Sequence, residues 1–118
     1  MHDRRVKWRG CPCNKRYSVS DTGLVRNKKT RKHIKRYDNG RGYLRVRLYH
    51  AKKGGGHWYA VHLLVLRTFD TERPGPEFEG AHHDGNRKNN ALNNLFWKTK
   101  EQNTADRVKH GIARKSKN

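Results

Sequence analysis

From residue 80 to residue 99 the chain reads Gly-Ala-His-His-Asp-Gly-Asn-Arg-Lys-Asn-Asn-Ala-Leu-Asn-Asn-Leu-Phe-Trp-Lys-Thr, a dense run of side chains that can do chemistry. His82 and His83 are adjacent imidazoles, and an ordinary pKa of about 6.5 suits them to take or give a proton near neutral pH. Asp84 adds a carboxylate, and the asparagines add amide oxygens. Five of the ten acids fall here or just before (Asp70, Glu72, Glu77, Glu79, Asp84), with Arg73 as the only base among them. The opposite holds from Arg26 to Arg47, where ten Lys or Arg residues face Asp38 alone. Acids beside a phosphate-facing surface weaken simple binding of a polyanion, whereas a metal-dependent enzyme uses them to hold a cation. The plain alternative for the acidic stretch is a solvated loop.

The total charge points to the partner. Lys and Arg outnumber Asp and Glu by 29 to 10, which gives +19 over 118 residues, far more than solubility requires. No apolar run approaches the roughly 20 residues of a spanning helix, and no signal-peptide pattern opens the chain. Nucleic acid is therefore favoured over a membrane surface. At 31% hydrophobic the chain can bury only a modest core, one domain's worth. Cys11 and Cys13 form Cys-Pro-Cys, too few for a disulfide framework and unlike the C-x2-C half of a zinc site. They read as reduced structural thiols, which fits a cytosolic setting. The alternative joins them to His2 or His33 around zinc.

Local patterns give the elements that must position these groups. Residues 1–16 read as a basic arm. Tyr17 and Val19 alternate before an Asp-Thr-Gly turn, and Leu24 and Val25 resume after it, as in a hairpin. A basic loop follows to about Tyr37. Residues 43–49 form the clearest strand, with Leu44, Val46 and Leu48 on one face and Tyr43, Arg45, Arg47 and Tyr49 on the other. The polar face can meet phosphates, or simply be solvated. A loop at 52–56 precedes a returning strand at 57–60. Val61, Leu64, Val65 and Phe69 mark a short helix with one buried stripe, beside which His62 reads as structural. Arg73-Pro-Gly-Pro ends it. Residues 78–82 and 95–98 read as strands around an Asp84-Gly-Asn turn. Thr99 and Gln102 form a capping box for a helix running to His110, with Gly111 at its end.

This second half resembles the HNH nucleases, specifically the phage and intron-encoded homing-endonuclease branch. The resemblance is carried by Val61, His62, Leu64, Val65, Phe69, His82, Asp84, Gly85, Asn86, Asn89, Asn90, Asn94, Leu95, Trp97, Thr99 and Asn103, including the spacings from His82 to Asn94 and to Asn103. Trp8 and residues 17–26 resemble the NUMOD4-like module that commonly precedes this unit. The implied fold is α+β: a small N-terminal antiparallel sheet with hairpins, followed by a ββα-metal motif. The implied organisation is a basic module at 1–60, the nuclease motif at 61–111 and a basic tail at 112–118.

The resemblance implies phosphodiester hydrolysis with one divalent ion, Mg2+ or Mn2+. His82 becomes the general base, Asn94 the residue that ties the loop to the helix and aims His82, and Asn103 a metal ligand. Trp97 is expected to pack in the small core. Ala81 departs from the family, because many relatives have a potential ligand there. The ion then has one protein ligand or recruits Asp84, His83 or Asp106, and Asp106 is preferred because it lies one turn beyond Asn103 on the same helix face. His83 otherwise tunes His82 or touches phosphate. His110 reaches phosphate or complements the helix end. Duplex DNA is the expected partner, contacted by Arg26, Lys28, Arg41, Arg45, Arg47, Lys98 and Arg107, with the protein a monomer on DNA or a weak dimer. A phage or mobile-element origin and action in a bacterial cytoplasm follow from the same resemblance. The rivals are a non-catalytic basic nucleic-acid-binding protein, with Ala81 the mark of a lost site, and a zinc-stabilised binding module built on the cysteines.

Overall fold

A computed structural model describes residues 5–50 and 55–101. Its elements run β1 (Trp8–Gly10), β2 (Tyr17–Ser20), β3 (Val25–Asn27), β4 (Tyr37–Asp38), β5 (Leu44–Tyr49), β6 (Gly56–Ala60), α1 (Val61–Phe69), β7 (Phe78–His82), a 3-10 turn (Leu92–Asn94) and β8 (Leu95–Thr99). They make three antiparallel sheets, ordered β1-β2-β3, β4-β5-β6 and β7-β8, as the α+β reading requires.

The β2–β3 hairpin closes because Ser20 Oγ accepts the amide hydrogens of Leu24 and Thr22 at 2.9 and 3.3 Å, and Gly23 takes a φ of +93° that a residue with a Cβ adopts only under strain. The register then sets Val19 opposite Val25, both buried. In β5 the alternation holds: Val46 and Leu48 are fully buried, while Arg47 and Tyr49 face outward. β6 runs straight into α1, whose Val61, Leu64, Val65 and Leu66 are buried and whose length touches all three sheets.

Core residues on both sides of position 60 form one cluster, from Val19, Val25, Val46 and Leu48 to Val61, Leu64, Val65 and Leu95. Each such side chain contributes about 1.5–3 kcal/mol of transfer free energy. The boundary expected at residue 60 is thus a seam inside one core. Two strands stand where loop was expected. β1 forms within the supposed arm because the turn after it folds back, with Cys11 N donating to Tyr17 O at 3.0 Å, and β4 pairs briefly with β5. Lys100 and Glu101 are helical, so a helix does open after Thr99. Gln102 and the remainder of the span expected to be helical lie outside the described residues.

Candidate active site and nucleic-acid face

His82 is the last residue of β7, a position fixed by its pairing with Leu95 across the two-stranded sheet. Its ring is held from three sides. Nε2 lies 2.8 Å from Asn90 Oδ1, and since an amide oxygen only accepts, the ring proton sits on Nε2 and the lone pair on Nδ1. The His62 ring packs 5.1 Å from it, centroid to centroid, and Tyr43 lies 6.1 Å away. Asn90 is almost fully buried, so the ring has a fixed anchor. The half-buried ring itself can still be reached.

His62 belongs to this cradle, which its place beside the helix stripe did not reveal. It is 8% exposed, stacks on Tyr43 at 5.3 Å, and is held well below the ordinary histidine range, at about 4, by burial first and by the neighbouring His82 second. It is therefore neutral near pH 7. Gly80 lets it approach: a Cβ there would come within 2.6 Å of His62 Cδ2 and 3.0 Å of Leu63 Cδ2.

The 84–94 loop is organised by Asn94 and Asp84. Asn94 Nδ2 donates to Asp84 Oδ1 and to the Asn89 carbonyl, both at 2.9 Å, while Asn94 Oδ1 accepts from Asp84 N at 3.1 Å. Its carbonyl also accepts from His83 N at 2.8 Å. Asn94 thus fastens the loop to the end of β7; the helix to which it was expected to tie the loop lies, beyond Glu101, outside the described residues. Asp84 Oδ1 accepts from Asn86 N and Oδ2 from Asn89 Nδ2. These bonds, led by that from Asn89, pull its carboxyl down to about 2. The expected metal ligand has both oxygens turned into its own loop.

The turn of the β2–β3 hairpin braces this loop at two points. Leu92 N donates to Asp21 O at 2.8 Å, and Gly23 lies so close to Asn90 that a Cβ would sit 3.0 Å from Asn90 Cβ. Arg87 lies over the Tyr43 ring and donates to the Arg41 carbonyl at 2.7 Å, and Lys88 pairs with Asp38 at 3.4 Å.

Other expected site residues are scattered. His83 points away from the cradle, as the alternation of strand side chains requires, and stacks on Phe96 at 4.2 Å. Lys98, expected as a nucleic-acid contact, is 8% exposed, with its ammonium 4.9 Å from the Phe96 ring, opposite Glu79 in register. Ala81 is buried and offers no donor. Asn103, Asp106, Arg107 and His110 lie outside the described residues, and among the described residues no three His, Cys, Asp or Glu side chains gather as a metal set. Cys11 and Cys13 are free thiols 2.8 Å apart, whereas His33 packs against Trp8. His2 is outside the described residues. Trp97 packs beside the core, half-buried, and donates to Thr71 O at 3.0 Å.

Arg45 and Arg47 share the outer face of the β4–β6 sheet with exposed Tyr37, Tyr49 and Trp58. Arg26 lies 3.8 Å over Trp8, and Lys28 and Arg41 are exposed.

Residues 59–105 match the family model of the HNH endonuclease, and residues 7–49 match the NUMOD4 motif. The chain is 36% identical over 101 residues to the DNA endonuclease I-HmuI of Bacillus phage SP01, covering 86% of this chain and 56% of that protein. It is 35% identical over 94 residues to YosQ, described as an HNH homing endonuclease derived from the SPbeta prophage of Bacillus subtilis (strain 168), covering 80% of this chain and 53% of that one. A solved structure concerned with DNA binding and cleavage by I-HmuI aligns with a TM-score of 0.81 at 31% identity, over 92% of this chain and 62% of that one. This chain thus spans about half the length of these two curated relatives. Residues 7–49 thus carry a NUMOD4 motif and residues 59–105 an HNH endonuclease domain, the two built on one core.

Proposed function

We propose that the chain is a DNA endonuclease that hydrolyses one phosphodiester bond per encounter, with His82 as general base. The observation that carries this is the His82–Asn90 hydrogen bond, which leaves the Nδ1 lone pair for a substrate water. In the reaction His82 Nδ1 takes a proton from water, the resulting oxygen attacks phosphorus, and the P–O3′ bond breaks with the 3′-oxygen taking a proton from solvent, giving a 5′-phosphate and a 3′-hydroxyl. Asn90 and His62 keep the ring in one orientation, and Asn94 and Asp84 keep the loop under it. One base serving one strand favours a nick.

HNH nucleases generally depend on a divalent ion, which when bound neutralises charge on the phosphate and the leaving oxygen. Ala81 has no donor and the Asp84 oxygens already accept loop hydrogen bonds, so the described side of the site offers little to a cation. Asn103, with Asp106, would hold the ion from the helix that opens at Lys100. Duplex DNA lies along the basic N-terminal face, and I-HmuI, whose solved structure concerns DNA binding and cleavage, supports that partner. Action in a bacterial cytoplasm rests on the phage and prophage sources of the relatives. Ala81 also favours a second reading, a protein that binds DNA without cutting it.

Cleavage mapping on end-labelled duplex with Mg2+ or Mn2+ separates the two. Cuts on one strand whose ends a ligase reseals support the endonuclease. Uncut DNA with every metal, under conditions where a gel shift shows binding, supports the second reading.

A further inference from the structure

The outer face of the β4–β6 sheet carries more than phosphate binding uses. Tyr37, Tyr49 and Trp58 are 44%, 46% and 41% exposed, three large rings in water on one side of a small sheet. They line a cleft of about 670 Å³ with Lys35, Arg45 and Arg47, a volume within the roughly 300–1,000 Å³ of small-molecule sites. Register builds it: Tyr37 pairs with Arg45, and Arg47 with Trp58, so rings and guanidinium planes alternate across the strands. The Arg45 guanidinium lies 4.3 Å from the Trp58 ring centroid and that of Arg47 5.5 Å, with Tyr37 edge-on to Trp58 at 5.6 Å. Arg45 Nε is buried and makes no hydrogen bond among the described residues. Phosphate recognition needs the cations and leaves the rings unexplained.

A nucleobase uses both. Its π face stacks on aromatic rings and guanidinium planes, and its edge accepts from N–H donors. A duplex shows only base edges to its grooves, so a face becomes available when a base leaves the stack. We propose that this cleft binds an unstacked nucleobase of single-stranded DNA, with the base on Trp58 and the flanking phosphates on Lys35 and Arg47. Such a site sits apart from His82 and gives the protein a preference for DNA with unpaired bases. It rests on the reading that this face meets DNA.

The test uses the full chain and two labelled duplexes, each with a four-residue single-stranded overhang. One overhang carries thymines, the other abasic residues with the same phosphates. Stacking predicts about tenfold tighter binding of the thymine overhang, equal salt slopes for both, loss of the difference in Trp58→Ala and its retention in Trp58→Phe. Equal affinity for the two overhangs overturns the nucleobase site while leaving the DNA-binding reading intact. Failure of the chain to bind either duplex overturns both. Phe at position 58 keeps a ring in the same packing, so loss in Ala with retention in Phe excludes a folding defect.

Discussion

The β4–β6 face and the β7–loop–β8 site meet at Tyr43, yet they are built on opposite terms. On the face, cations and rings are numerous, exposed and loosely redundant: Arg45 and Arg47 both lie over Trp58. At the site, a few directed hydrogen bonds fix single groups: Asn90 holds the His82 ring by one, and Asp84 is held by Asn86, Asn89 and Asn94. Affinity spread over many interactions erodes gradually on mutation, whereas geometry resting on one bond fails at once. This difference explains how one small core can tolerate so basic a surface and still aim one imidazole.

The sharpest break in the comparison is His82→Ala, which should lower the single-turnover cleavage rate by about 10²–10⁴-fold and leave binding unchanged. Asn90→Ala removes the anchor but keeps the base, so a loss of about 10–100-fold in rate at unchanged Kd is expected, in line with other groups that orient a reacting ligand. Equal losses from Asn90→Ala and from an exposed loop residue such as Asn93→Ala would show that the anchor is incidental.

Gly23→Ala probes how far the N-terminal module reaches into the site. Its positive φ and the 3.0 Å approach to Asn90 predict destabilisation on the order of 1–3 kcal/mol by chemical denaturation, with a cleavage defect although residue 23 is in another sheet. An unchanged rate in the folded variant would uncouple the two regions.

His62 gives the pH dependence. Its pKa falls from 6.5 in the unfolded chain to about 4 in the folded one, so between those values the unfolded state binds the extra proton. Stability should therefore fall as pH drops from about 6.5 to 4, by on the order of 2–3 kcal/mol, and level off below. His62→Gln should flatten that part of the denaturation profile.

Much of this architecture was legible in the sequence. Periodicity gave α1 and β5 nearly to the residue, β6 followed as the strand returning from the glycine loop, and β7 and β8 as the strands flanking an Asp-Gly-Asn turn. β1 and β4 were not, because strands of three and two residues in a Lys- and Arg-rich stretch show no period. Asn94 was legible as a geometric residue, but its partners were not, since an asparagine serves a loop or a helix equally well. That the Asp84 oxygens accept bonds from their own loop was not legible, because a carboxylate's type says nothing about where its oxygens point. The burial of Lys98 was not legible, because net charge counts a buried lysine and an exposed one alike. Asn90 lay in the motif, and only its hydrogen bond to His82 Nε2 showed that it holds that ring.

The most direct test of this separation crosses the two regions on one DNA, measuring Kd at several salt concentrations and single-turnover rate at saturating protein. His82→Ala should lose the rate and keep wild-type Kd and salt slope. Arg45→Ala/Arg47→Ala should weaken binding, with the slope reduced by about 0.9 for each phosphate no longer neutralised, and still cut the same bond at near wild-type rate once saturated. A His82→Ala protein that cuts as fast as wild type, or an arginine variant that saturates and does not cut, would contradict it.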